Sequence, residues 1–405
     1  MTLLELHKFC HSCKRLFCYG AGRYGRTLLV HLQENGIDIV SFLITAASSD
    51  NFILGKPVKS VKETAFEKED GVILAVGERF IDSMKREIEL LGVTNYISVD
   101  ETLLSEIEAE TEFSTYQNNA PFVNVLMYHR VVENIDDPYG IAVSPKNFRE
   151  HMAYLKQNFN VLRFNDDWND IKEPSVVVTF DDGYADNFNN ALPILEEYGI
   201  YATFFVSTEN LDTDNLFWWD KLSLLFSACK NETVRLGEHE FNCDDLKMAH
   251  AFLHRLLPKE RNQFLCEAEQ ENHTISENIS DYRALSLQEL KQLSNSPLAT
   301  IGAHTVTHSS LSCEPKAMQE WEIKESRKQV ESIIGREVSV FSYPFGDYNE
   351  STVSTVKNSG IRKACTVTGG LYLDNCELKI PRNKVVNITG AEFEKFMRRC
   401  RCIYA

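Results

Sequence analysis

Val176-Val177-Val178-Thr179-Phe180-Asp181-Asp182-Gly183-Tyr184 reads as a strand that runs into a turn carrying two adjacent carboxylates. Asp181 and Asp182 cannot both point into a core. Their like charges would raise at least one pKa unless a cation were present. A metal held by one carboxylate, with the other left free as a base, resolves that conflict. The plainer alternative is a helix N-cap in a turn, where Asp and Gly are common. Further strands read at residues 123–129, 202–206, 299–304 and 338–343, with helices at 145–158 and 187–198 between them. This alternation predicts an α/β fold built on parallel strands.

A second pattern narrows the choice. Thr300-Ile301-Gly302-Ala303-His304 reads as a strand, and Thr305-Val306-Thr307-His308 follows it. Two His four residues apart at a strand end can reach one ion. A lone His is more often a satisfied structural residue, but this pair occurs in a chain that also offers Asp-Asp at a strand end. One carboxylate and two imidazoles make a three-ligand site with open positions. Such a site is catalytic, because structural zinc sites are closed by four protein ligands. Water in an open position becomes a nucleophile near neutral pH. The third pattern, Phe341-Ser342-Tyr343-Pro344-Phe345-Gly346-Asp347, is a strand leading into a Pro/Gly loop whose backbone N–H can serve an oxyanion.

Ahead of this region the first hundred residues alternate strand and helix on their own. Strands read at 16–19, 37–44, 72–76 and 95–99, and helices at 27–35 and 81–91. That rhythm predicts a doubly wound parallel sheet. Gly20-x-Gly22-x-x-Gly25 follows the first strand and opens a helix, the context a dinucleotide fingerprint requires. The ribose-binding acid expected about 20 residues later is absent, since the second strand ends Leu43-Ile44-Thr45-Ala46. The polar stretch near Asn118 marks a domain boundary, giving domains 1–118 and 119–405. Residues 209–298 interrupt the second domain's rhythm and read as a largely helical insertion. Trp218 and Trp219 at its start offer faces for a sugar, although paired Trp more commonly packs in a core.

Thr179-Phe180-Asp181-Asp182-Gly183 and His304-Thr-Val-Thr-His308 together resemble the polysaccharide deacetylases with a NodB homology domain, carbohydrate esterase family 4. The resemblance extends from about residue 125 to 386 and includes Leu126-Met127-Tyr128-His129-Arg130-Val131 and Ala202-Thr203-Phe204-Phe205-Val206. It implies a distorted (β/α)7 barrel with its site at the strands' C-terminal ends. It implies that Asp182, His304 and His308 hold a divalent metal, usually Zn²⁺, and that Asp181 is the general base that deprotonates the attacking water. The backbone N–H of Phe345 would help stabilise the oxyanion. Three departures stand out. Ser342 replaces the Arg that often begins the family's third motif. The D-x-x-D-W motif is not evident near residues 367–374. Ile380-Pro381-Arg382 replaces the L-x-H motif that supplies the acid. His129, ending the first strand of this domain, is the candidate replacement acid, and Arg382 the candidate partner for Asp181. The N-terminal stretch is similar to the Rossmann-like domains of bacterial surface-glycan enzymes, which implies a nucleotide or nucleotide-sugar ligand for Gly20, Gly22 and Gly25.

Composition bounds these readings. The chain has 405 residues and a formal net charge of −17, which argues against binding a nucleic-acid backbone or anionic lipid by charge. Eleven cysteines cannot all pair within one chain, and Cys10-His11-Ser12-Cys13 lacks partners to complete a zinc site. With no run of about 18 apolar residues, no transmembrane helix is expected. With no signal-like apolar core at Met1 either, a cytoplasmic enzyme with reduced thiols is expected. Its substrate would be a nucleotide-linked, lipid-linked or oligosaccharide amino sugar, losing an N-acetyl group. N-deformylation, O-acetyl ester hydrolysis and a silent sugar-binding protein are the alternatives.

Overall fold

The computed structural model describes residues 1–45, 51–114, 121–133, 137–229, 233–272, 279–372 and 376–404. The chain divides into two compact units, residues 1–119 with 394–405 and residues 120–393. The expected boundary at Asn118 lies outside the described residues. Residues 394–405, which the sequence reading gives to the second domain, group with the first unit. Cys402 and Ile403 pack with Val30 and Phe113, and Arg26 Nη1 donates to the Ile403 carbonyl, 377 residues along the chain. Contacts at such separation leave no local signal.

In the first unit the strand order is Phe52–Ile53, Lys56–Ser60, Ser41–Ile44, Arg15–Tyr19, Asp70–Leu74, Tyr96–Ser98. All neighbours are parallel except the first pair. The order reverses direction at Arg15–Tyr19, as in doubly wound sheets. The expected strand at 37–44 forms only from Ser41, because Gly36 and the residues after it close the preceding helix instead.

The main path of the second unit's sheet runs through seven strands in the order Lys363–Cys365, Val340–Ser342, Ala299–Ala303, Ala202–Val206, Ser175–Phe180, Val123–Tyr128, Asn383–Lys384, and an eighth, Asn160–Val161, pairs with Ser175–Phe180 off this path. Every pair along this path is parallel. Ser175–Phe180 is buried at all six positions, as a strand covered on both faces must be. Burying each Val or Phe there is worth about 1.5–3 kcal/mol. The sheet curls until its two ends meet: Ile380 N–H donates to the Ala364 carbonyl and Thr366 N–H to that of Ile380, three residues before the last strand begins. The result is a distorted, seven-stranded α/β barrel.

Helix Pro145–Asn158 forms with Ser144 as its N-cap and Pro145 in its first turn. The expected helix at 187–198 starts as a π-turn, Asn187–Ala191, and becomes α-helical at Leu192–Tyr198. The insertion is mainly helical, with Trp218–Ala228, Leu246–Leu253 and Pro258–Asn272. It also carries an antiparallel hairpin, Thr233–Leu236 with His239–Asn242, that its helix-forming composition hides. Trp218, Trp219, Leu222, Leu253 and Leu265 share one apolar cluster, to which Tyr184, outside the insertion, also belongs. No helix of the described residues is long and apolar enough to cross a membrane.

Candidate active site

Parallel strands deliver their C-terminal ends to one edge of the sheet, and here four of them deliver the residues singled out above. Asp181 and Asp182 follow Ser175–Phe180, His304 follows Ala299–Ala303, His129 follows Val123–Tyr128, and Phe345 lies just after Val340–Ser342. Asp182, His304 and His308 bring one donor atom each to within 4.8 Å of one another. Asp182 Oδ1 lies 3.5 Å from His304 Nε2 and 3.3 Å from His308 Nε2. His304 Nδ1 is 2.8 Å from the Ser342 carbonyl oxygen, which only accepts, so Nδ1 carries the proton and Nε2 keeps its lone pair. That is the arrangement a metal-ligating His adopts. Burial pushes His308 down to about 4, leaving its imidazole neutral at pH 7 and free to ligate. One carboxylate oxygen and two imidazole nitrogens, all buried, fit a divalent ion with positions left open.

The backbone here is strained. Non-Gly residues with positive φ include Asp182 (75°), Thr305 (66°), His308 (48°) and Phe345 (57°), four of the seven among the described residues. For β-branched Thr305 this is a genuine outlier. Strain persists where surrounding structure over-determines it, and such sites are commonly functional.

Asp181 is held by Arg382. Nη1 donates to Oδ1 at 2.7 Å and Nη2 to Oδ2 at 2.6 Å. Arg382 is 1% exposed, yet all five of its N–H groups find acceptors: the others go to the Thr366 carbonyl, Thr179 Oγ1 and Ser342 Oγ. Ser342 Oγ also lies 3.2 Å from Asp181 Oδ2 as a donor. Burial alone would raise the Asp181 carboxyl; the Arg382 guanidinium, with His304, outweighs it and holds the group below the usual carboxylate range. Asp181 is therefore an anion, able to accept a proton.

Asp181, Asp182, His304 and His308 line one cavity of about 350 Å³, together with His129 and Phe345. All the expected catalytic and metal-site residues of the second domain but Arg382 reach this wall, and Arg382 sits directly behind Asp181. His129 Nδ1 has no hydrogen-bond partner among the described residues. Burial lowers the His129 pKa, while Asp182 and Asp181 oppose this, so the ring is neutral at pH 7. The insertion closes the wall with Trp219 and His250, and Lys384 joins from the last strand. Sequence reasoning missed His250 and Lys384. His250 and His254 stand four residues apart, a spacing that the reading passed over, while Lys384 has no spacing to mark it.

Trp219 is anchored rather than free. Its Nε1–H donates to Tyr184 Oη at 2.7 Å, and Tyr184 O–H donates to Asp220 Oδ2 at 2.7 Å. Its ring centroid lies 4.5 Å from that of His308. Burial, only partly opposed by Arg130, pushes the Asp220 carboxyl up from 3.8 to about 7. A folded pKa above the unfolded one means the native state gains by holding this proton. That gain is complete below pH 3.8 and disappears as pH rises through about 7. Asp220→Asn is therefore expected to be more stable than wild type at pH 8 and no more stable at pH 4. Urea unfolding at both values checks this.

In the first unit, Gly22 is the N-cap of helix Arg23–Glu34, and a Cβ there would meet nothing within 4 Å. At Gly25 a Cβ would come within 1.9 Å of the Gly20 carbonyl oxygen, so helix and strand-end approach too closely for any side chain. Gly20 and Gly25 are thus accounted for by backbone packing. Cys10 and Cys13 are free thiols.

Residues 169–364 match the protein-family model described as polysaccharide deacetylase, and carry such a domain. A Bacillus subtilis (strain 168) protein named "Putative polysaccharide deacetylase YxkH" is 22% identical over 258 residues, 61% of this chain and 64% of that protein. The chain thus spans about 64% of the length of that curated relative. Among solved structures, a polysaccharide deacetylase from Bacillus cereus is 23% identical, covering 69% of each chain with a TM-score of 0.47. The Streptococcus pyogenes deacetylase PplD, solved in complex with acetate, is 18% identical, covering 70% of this chain and 99% of that one with a TM-score of 0.47.

Proposed function

We propose that this polysaccharide deacetylase domain is a divalent-metal-dependent hydrolase that removes an N-acetyl group from an amino sugar. The observation that carries this reading is the meeting, in one cavity, of a carboxylate kept anionic by Arg382 and a separate three-donor set of Asp182, His304 and His308. A binding protein has no use for the first beside the second. A divalent ion held by the three donors supplies a Lewis acid that acidifies water and polarises the amide carbonyl.

The remaining steps belong to the chain's own residues. Asp181 takes the proton of the attacking water as its oxygen bonds to the carbonyl carbon. The backbone N–H of Phe345 donates to the oxyanion that develops there. As the C–N bond breaks, the proton held by Asp181 passes to the departing nitrogen, with neutral His129 as its relay. Acetate and the free amine leave.

Acetate release from a panel of acetylated amino sugars, carried on nucleotides or as chitin oligomers, tests the reading. Release that depends on an added divalent ion is expected. Absence of release from every substrate with every ion would sink it. Product mass separates acetyl from formyl loss, and O-acetylated sugars test the esterase alternative. His129→Ala is expected to lower kcat by about 10²-fold at unchanged metal content, a typical worth of a positioned proton carrier. A wild-type kcat would instead leave Asp181 to return the proton unaided.

A further inference from the structure

Phe345 carries the backbone N–H assigned above to the oxyanion, and it holds a conformation that its own side chain disfavours. Its φ of 57° lies in the left-handed region. Gly346, next to it, also has a positive φ but no Cβ to oppose it, whereas Phe345 has one. The hydrogen bonds that close this turn are made by its neighbours: Gly346 N–H donates to the Tyr343 carbonyl and Asp347 N–H to that of Pro344. Strain of this kind persists only where surrounding structure over-determines it. Something beyond the turn must hold Phe345.

The hold is on its ring. The His254 ring packs edge-to-face against that of Phe345, with centroids 4.3 Å apart and planes 85° apart. His308 meets the same ring at 4.6 Å and 79°, and the rings of Trp218 and His250 stand at 6.1 and 6.3 Å. Aromatic pairs in this geometry attract beyond the area they bury. Three of the four rings come from the insertion, and His254 directly follows its helix Leu246–Leu253. His254 is also tied to the loop that carries Phe345. Its Nε2 lies 3.0 Å from Asp347 Oδ2, close enough for electrostatic attraction though off the line of a hydrogen bond. Ser310 Oγ, two residues past His308, donates to that same oxygen at 2.6 Å. The insertion, the loop after His308 and the loop of Phe345 are thus fastened at one point.

We infer that His254 is a positioning residue for the deacetylation: by clamping the Phe345 ring, it holds the strained turn in which the Phe345 N–H meets the developing oxyanion. An oxyanion donor acts only when it is fixed within hydrogen-bond distance of the charge that forms, so relaxation of Phe345 to ordinary backbone would carry its N–H away. The insertion supplies neither the base nor an ion-holding donor, yet through this clamp it becomes part of the catalytic apparatus. The inference rests on reading the Phe345 N–H as the oxyanion donor of the proposed reaction.

The test is a double-mutant cycle on acetate release by the full-length, zinc-loaded chain, with the best substrate of the panel above. His254→Ala and Phe345→Ala, which keeps the backbone N–H, should each lower kcat about 10- to 100-fold, part of the roughly 10²- to 10³-fold worth of one oxyanion donor. KM and zinc content should not change. Combined, the two should cost no more than the larger single loss, because both break one clamp. His254→Phe, which keeps a ring against Phe345, should return kcat to within about threefold of wild type. Losses that multiply, or a His254→Phe chain as impaired as His254→Ala, would overturn the clamp. Crystal structures of the two His254 variants read the same point without activity. Phe345 φ is expected to leave the positive region in His254→Ala and to stay there in His254→Phe; a φ still near 57° in His254→Ala would overturn the clamp as well. Relaxation of Phe345 in His254→Ala, with no acetate released by wild type from any substrate, removes the deacetylase reading and leaves the clamp standing.

Discussion

Asp182→Ala and His304→Ala are each expected to strip the chain of its divalent ion and abolish acetate release, whereas Asp181→Asn should keep the ion and lose about 10²- to 10⁴-fold in kcat. The contrast follows from geometry. Asp182 Oδ1 is the oxygen that both His304 Nε2 and His308 Nε2 approach, at 3.5 and 3.3 Å, so either change removes one of only three protein ligands. Asp181 stands beside that set, with Oδ1 and Oδ2 turned to Arg382. Asn in its place keeps the shape and loses the ability to take a proton. Elemental analysis of each purified variant, paired with an acetate assay, reads both quantities. Full activity in either Ala variant would remove the metal assignment, and full activity in Asp181→Asn would remove the base.

Arg382→Leu should destabilise the second unit by about 3–5 kcal/mol, the cost of removing one partner from a buried ion pair. Asp181 would be left as a carboxylate buried away from water, with Ser342 Oγ as its remaining side-chain hydrogen-bond donor among the described residues. Its pKa would rise, so the pH at which half of the residual activity appears should move upward. Arg382→Lys keeps the charge but not the two-pronged fork, and should fall between the two. Urea unfolding and a pH–rate profile of both variants check this. Wild-type stability and an unmoved profile in Arg382→Leu would show that the pair is dispensable.

The pair also shows where sequence reading stops. A departure from the family's pattern leaves Ser342 where an Arg is usual and Arg382 where the acid motif is expected. From the sequence these are two separate oddities, 40 residues apart. In the folded chain they are one feature: Arg382 Nη2 bonds both Asp181 and Ser342 Oγ, so the guanidinium reaches the same carboxylate from the far end of the sheet.

Local pattern alone determined a good deal. The apolar run at 176–178 ending in Asp-Asp, and the strand ending in His304 with His308 four residues on, already point to parallel strands with a set of potential metal donors at their C-terminal edge. Such features are legible because strand periodicity and ligand spacing are short-range. Tertiary structure alone decided which groups from remote stretches share a wall. It brought His250 and Trp219 from the insertion beside His308, returned residues 394–405 to the first unit, and left His308 Nδ1 without a hydrogen-bond partner among the described residues. These depend on chain crossings of tens to hundreds of residues. No window of sequence encodes them, because the free energy that selects them comes from burying whole elements together.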